Sequence, residues 1–325
     1  MAHLVGAGAS SHSPLLLANP SLWRERAHQD RSNTQLYDSS GRLRTYDELE
    51  AEAGDRFAAE LSDDVWAARF EACQQGIRRV GQTLRDLELD AVIVVGDDQA
   101  ELFDESNQPA LALYWGETWE TAELPFHGSD FFDAVKAGYA MDAVHRFQGA
   151  GDLARSILAS LCDAGFDATS VASQPPGKGF GHAFGYVGER LLGTRELPIV
   201  PLLLNTYFPP NQPTPRRCVQ LGDALRNAIE AAPGDARVAI VASGGLSHFV
   251  VDEALDERVL DGVRTGKTED LAEIPTALLR AGSSEIRNWI TVVAAMQNGA
   301  SWHDYAPCYR SPAGTGCGMG FAVWT

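Results

Sequence analysis

The residues with the most chemistry to offer are scattered along the chain, and only a fold can gather them. Glu285 opens the segment Ser284-Glu-Ile-Arg-Asn-Trp-Ile-Thr-Val-Val-Ala-Ala-Met296. The spacing predicts a helix, with Glu285, Trp289, Val292 and Met296 on one face. A carboxylate then heads an apolar stripe, and if buried it needs a cation or strong donors to offset desolvation. The alternative is an ordinary first-turn glutamate that complements the helix dipole. His12 sits in Ser-Ser-His-Ser-Pro, just past a short apolar run. His248 ends Gly244-Gly-Leu-Ser-His, where two glycines let the backbone turn tightly. An imidazole titrates near neutral pH and suits acid–base work. His182 lies between glycines in Gly181-His-Ala-Phe-Gly185. Each histidine also has a plainer reading, as a solvated loop residue or a core residue bonded to backbone.

Competing chemistries lack their signatures. The sequence has no GxGxxG after a strand, no Walker A loop, no HExxH and no GxSxG elbow. A Ser–His hydrolase stays open on the residues alone, but nothing nominates its serine.

The elements that must position these residues alternate. Residues 3–9 read as a strand ending just before His12. Residues 20–64 are polar and read as an excursion of loops and short helices. Trp66, Phe70, Cys73, Ile77, Val80 and Leu84 mark one face of a long helix. Ala91–Val95 is a continuously apolar run, the pattern of a strand buried on both faces, and Gly96-Asp-Asp-Gln99 follows it. Further strands are expected at 110–114, 199–204 and 238–242. Helices are expected around Leu153–Leu161 and Val219–Ile229. This alternation predicts an α/β fold, a central mixed sheet flanked by helices. Ligand sites in open α/β sheets gather beyond the carboxyl ends of strands. His12, Gly96–Glu101 and Ser247–His248 all fall at such ends.

Composition excludes several classes. With 325 residues and 45% hydrophobic content, the chain can bury a large core. No Pro- or Gly/Ser-rich linker interrupts it, so a single catalytic domain over 1–325 is expected, with an insertion at about 20–64. A formal charge of −18 argues against nucleic acid as a partner. No apolar run approaches the roughly 18–20 residues of a membrane span, and the first residues lack a signal peptide's basic region. A cytoplasmic location is the default. The five cysteines form no CxxC pair and read as mostly buried small apolar residues.

Taken in order, the motifs form a set. They are Ser11-His12-Ser-Pro14, Gly96-Asp-Asp-Gln99, Gly181-His-Ala-Phe184, Pro209-Pro210 with Arg216-Arg-Cys218, Leu221-Gly-Asp223, Gly244-Gly-Leu-Ser-His248 and Glu285-Ile-Arg-Asn-Trp289. From about residue 4 to 300 the chain resembles the class III (LigB-type) extradiol ring-cleavage dioxygenases. These include the protocatechuate 4,5-dioxygenase catalytic subunits and the 3-O-methylgallate dioxygenase branch. The resemblance is weakest over 20–64.

The resemblance implies a LigB-like fold and a non-haem iron(II) cofactor. It implies extradiol cleavage of a catecholic aromatic (protocatechuate-, gallate- or methylgallate-like) with dioxygen. It assigns the metal to His12, Gln99 and Glu285, acid–base catalysis to His248, and a place beside the substrate to His182. Gln99 is the departure, because a histidine ligand is expected there. An amide oxygen is harder and weaker toward iron than imidazole, so Asp97, Asp98, Glu101 and His127 stand as other ways to complete the set. Aromatic carboxylates need a cationic or hydroxyl anchor, for which Lys178, Arg216 and Arg217 are candidates. The 20–64 insertion can act as a lid, with Tyr37 or Tyr46 contributing. A homodimer is expected by resemblance only. Two other readings fit the same fold: a Memo-like metal-binding or interaction protein, and a metal-dependent hydrolase.

Overall fold

The computed structural model of the protein describes residues 1–124 and 130–325. At its centre is an eight-stranded mixed sheet. Its strands are β1 (His3–Ser10), β2 (Ala91–Asp97), β3 (Leu111–Tyr114), β4 (Thr169–Val171), β5 (Ile199–Leu204), β6 (Arg237–Ser243), β7 (Trp302–Tyr309) and β8 (Gly316–Trp324). Their spatial order is β7-β8-β1-β6-β2-β5-β3-β4. β1, β6, β2 and β5 run parallel, so their carboxyl ends share one edge. β8 runs antiparallel to β1, and β3 antiparallel to β5.

The central strands are unbroken apolar runs because both faces are covered. In β2, Val92 and Val94 enter one core while Ile93 and Val95 enter the other. That is the two-residue alternation of a strand. The helices include α1 (Trp23–Asp30), α2 (Asp63–Asp86), α3 (Gly151–Asp163), α4 (Pro215–Ala231) and α5 (Ile286–Met296). α2 packs on the first face through Ile77, Val80 and Leu84. α3, α4 and α5 cover the second through Ile157, Leu225, Ile229, Ile290 and Val293. Cys73, Cys218, Cys308 and Cys317 are buried, while Cys162 is exposed. Among the described residues, no helix is long and apolar enough to cross a membrane.

The helix expected from Ser284 starts later. Ala281–Glu285 forms a 3₁₀ turn, and the α-helix begins at Ile286, which puts Glu285 at the junction. β7 and β8 carried no expectation, because Gly316-Cys-Gly-Met-Gly-Phe321 shows no apolar alternation. Its glycines are there for close packing. A Cβ at Gly318 would run into Asp256, and one at Gly320 would press on Leu246 and Trp289.

The 20–64 excursion does consist of short elements. They include α1, a two-stranded pairing of Leu36–Tyr37 with Leu43–Arg44, and the helix Tyr46–Ala53 with a Thr45/Glu48 capping box. One buried carboxylate fastens it to the body. Asp30 is fully buried and takes Arg310 Nε on Oδ2 at 2.7 Å and Arg310 Nη2 on Oδ1 at 2.9 Å. Thr315 Oγ1 also donates to Asp30, and Arg26 Nη1 reaches it at 3.1 Å. Removing one partner of a buried pair leaves its charge uncompensated. Asp30→Ala is therefore expected to lower stability by about 3–5 kcal/mol, measured by urea unfolding. Unchanged stability would show that the excursion is held some other way.

Candidate metal centre and active-site cavity

The four parallel strands deliver the site. β1 ends at Ser10, and two residues later His12 turns in beneath the sheet edge. The Tyr139 hydroxyl donates to the His12 carbonyl at 2.6 Å and fixes that turn. β2 ends at Asp97 with its side chain fully buried. β6 ends at Ser243, paired in register with Ser10, and runs into the Gly244–His248 turn. Helix α5 is pinned to that turn: Asn288 Nδ2 donates to the Ser243 carbonyl at 2.9 Å and Trp289 Nε1 to the Gly244 carbonyl at 2.8 Å. These two bonds set Glu285, one turn earlier, over the ends of β1, β2 and β6.

His12, Asp97, His182 and Glu285 each offer a ligand atom, and these atoms lie within 4.8 Å of one another. His12, Asp97 and Glu285 are buried, and His182 is nearly so. His12 Nε2 stands 3.2 Å from Glu285 Oε2. His12 Nδ1 stands 3.0 Å from Ser243 Oγ, whose own hydroxyl donates to the Ala183 carbonyl at 2.7 Å. Ser243 therefore accepts from His12, which puts the neutral ring's proton on Nδ1 and leaves Nε2 a bare lone pair. A lone pair facing a carboxylate at that distance calls for a proton or a cation between them. His12 Nε2 and Asp97 Oδ1 are both buried without a hydrogen-bond partner. Such orphans in a polar cluster mark the place of an ion or water. The donor set of imidazole and carboxylate suits a divalent transition metal.

Glu285 Oε2 also accepts the Gly245 N–H at 2.6 Å. Burial alone would raise its pKa, but His12 and His248 hold its carboxyl well below the usual range. For Asp97, burial and the neighbouring Glu285 charge push the other way, upward. Burial alone would lower the His182 pKa. The Glu101 carboxylate, 2.6 Å from His182 Nδ1, overcomes this and pushes it up to about 10. For His248, burial lowers the pKa, while Cys317 and Glu285 raise it and prevail. His248 Nδ1 lies 2.8 Å from the Leu246 carbonyl, so it must be the donor. Nε2 is left facing Glu285 Oε1 at 3.4 Å.

The residues singled out from sequence therefore meet. Gln99 reaches the cluster with its amide nitrogen, 3.1 Å from Asp97 Oδ2 and 3.4 Å from Glu285 Oε1. Its oxygen faces a metal only after the amide flips. Of the other candidates for that position, Asp97 is in the group. Asp98 is spent on the Leu102 and Phe103 N–H groups, and Glu101 on His182. His127 lies outside the described residues. Ser243, which fixes the His12 tautomer, was not anticipated, because nothing local distinguishes it from other serines.

A cavity of about 590 Å³ opens over the cluster, a size suited to a small aromatic ligand. Its apolar wall includes Leu124, Phe131, Val135 and Met141, and its polar wall includes Arg26, Gln29, Tyr207 and Arg310. The anchors expected from sequence are not part of its lining. Arg216 pairs with Glu273 on the surface, Arg217 binds the Gly165 carbonyl, and Lys178 pairs with Asp104 at 3.3 Å. The excursion does contribute to the wall, but through Arg26 and Gln29. Tyr46 is buried in a cluster of its own, and Tyr37 lines a separate cavity of about 350 Å³.

Gly282 makes room for His248, since a Cβ there would overlap the imidazole. Gly282→Ala is expected to push that ring from its place while the protein stays folded. A crystal structure of the variant checks this, and an unmoved ring would refute it.

Comparison with known proteins identifies the family. The family model described as the catalytic LigB subunit of aromatic ring-opening dioxygenase matches residues 61–317. Over 107 residues the chain is 42% identical to a gallate dioxygenase of Pseudomonas putida (strain KT2440). That stretch is 32% of this chain and spans only 30% of the relative. With the family match running over most of its length, the chain belongs to the LigB family of aromatic ring-opening dioxygenase catalytic subunits.

Proposed function

We propose that the protein is an iron(II)-dependent extradiol dioxygenase. It opens a catecholic ring beside the diol and incorporates both atoms of dioxygen. The observation that carries this reading is the pair of orphaned buried donors, His12 Nε2 and Asp97 Oδ1, beside Glu285 at the floor of an aromatic-sized cavity. The partial similarity to a gallate dioxygenase supports a catechol of the protocatechuate, gallate or methylgallate kind.

His12 and Glu285 hold the metal, and the segment Asp97–Gln99 supplies the third group. Asp97 Oδ1 is the better-placed donor, since Gln99 presents its nitrogen. Iron(II) held there would supply Lewis acidity and an electron path between catechol and dioxygen. The protein's side chains do the rest. Leu124, Phe131, Val135 and Met141 form an apolar wall for the ring and exclude water from it. His248, its Nδ1 proton held by Leu246, offers Nε2 to take a phenolic proton and later return one. A cation at Glu285 takes up part of the charge that otherwise keeps a proton on His248. His182, held by Glu101, presents Nε2 as a donor toward the reacting groups.

Two experiments test the reading. Anaerobic titration with iron(II), followed by oxygen uptake on a panel of catechols, is expected to show stoichiometric iron and substrate-dependent uptake. His12→Ala and Glu285→Ala are expected to lose the iron and keep the fold. Full occupancy in either would refute the ligand assignment, and iron binding without uptake on any catechol would refute the reaction. His248→Ala is expected to keep its iron and lose turnover by roughly 10²–10⁴-fold. A lowered melting temperature with near-normal turnover per iron-loaded site would make His248 structural.

A further inference from the structure

Arg26 lies on α1, in the excursion where the family likeness is weakest, yet it lines the cavity over the metal cluster. Its surroundings leave positive charge unanswered. Asp30 is the carboxylate it touches, and Arg310 already takes both oxygens of that carboxylate in a fork. Thr315 takes Asp30 as well, so among the described residues Arg26 is left with one hydrogen bond, from Nη1 to Oδ1. Two guanidinium groups thus share one carboxylate on this wall. Burial is the main reason that the Arg26 pKa falls to about 10, and Arg310 beside it adds to the fall. Its guanidinium lies 5.9 Å from the Phe249 ring, and Phe249 follows His248. Arg26, Phe249 and His248 line the same cavity. Gln29, one turn along α1, lines the same wall and carries an amide.

We infer that Arg26, helped by Gln29, is the specificity-determining anchor for a carboxylate substituent on the aromatic ring. A planar guanidinium matches a carboxylate with paired donors, and partial burial strengthens such bonds. This site takes the role sought in Lys178, Arg216 and Arg217, and it belongs to the excursion. The inference rests on the extradiol reading for its substrate class, but its binding arm does not need turnover.

The test compares 3,4-dihydroxybenzoate with 1,2-dihydroxybenzene. Arg26→Met is expected to lower the ratio of kcat/KM for the first over the second by roughly 10–100-fold, the loss expected of charged hydrogen bonds. KM is expected to carry most of the change. Arg26→Lys is expected to recover part of the ratio. Gln29→Leu is expected to lower it less, and it serves alone should Arg26→Met fail to fold. Arg24→Met is the control, since Arg24 is exposed on the same helix and pairs with Asp63. The same ligands are also titrated calorimetrically into anaerobic protein, where the affinity ratio is expected to fall in parallel. An unchanged ratio in Arg26→Met, or equal losses on both ligands, overturns the anchor. Wild-type protein that binds 3,4-dihydroxybenzoate through Arg26 but consumes no oxygen overturns the reaction and leaves the anchor standing.

Discussion

A carboxylate almost wholly removed from water has to be answered by positive charge, and Glu285 sets that demand for the whole site. Asp97, Glu101 and Glu285 crowd one end of the sheet, against His12, His182 and His248. Neutral imidazoles would leave those charges unbalanced in a low-dielectric setting. His12 turns its Nδ1 to Ser243 and its Nε2, without a hydrogen-bond partner, to Glu285 Oε2. A divalent cation held among the converging groups would answer the deficit in one stroke. Strand ends bring the donors together, Asn288 and Trp289 hold Glu285 down, and Tyr139 and Ser243 orient His12.

How much of this could be read from the chain depended on how local each signal was. The buried strands announce themselves because both faces are apolar, and Ile199–Leu204 was placed to the residue. The stripe Glu285–Trp289–Val292–Met296 was legible for the same reason, and all four are buried in the fold. The ends of elements were less legible. A 3₁₀ turn before Ile286 depends on Gly282 clearing the His248 ring, a contact between distant segments. β8 was invisible because its alternating glycines answer to Asp256, Leu246 and Trp289, which no local pattern reveals. The cationic side of the cavity was sought among Lys178, Arg216 and Arg217 because they stand near the family motifs. Charge on a surface helix looks the same in sequence whether it faces solvent or a cavity. Only packing separates Arg24, which is exposed, from Arg26, two residues on.

The bond between Asp30 and Arg310 closes a loop of 280 residues. Contacts of such separation form late, since the chain must give up much freedom before they return anything. One wall of the cavity therefore waits for the other end of the protein. During synthesis the excursion emerges early and has only Arg26 to offer Asp30 until the β7–β8 hairpin brings Arg310 and Thr315. The buried cluster draws its last member, Glu285, from upstream of that hairpin. The groups that could hold an ion can thus gather before the chamber above them is walled, so the floor and the wall of the cavity are completed at different times.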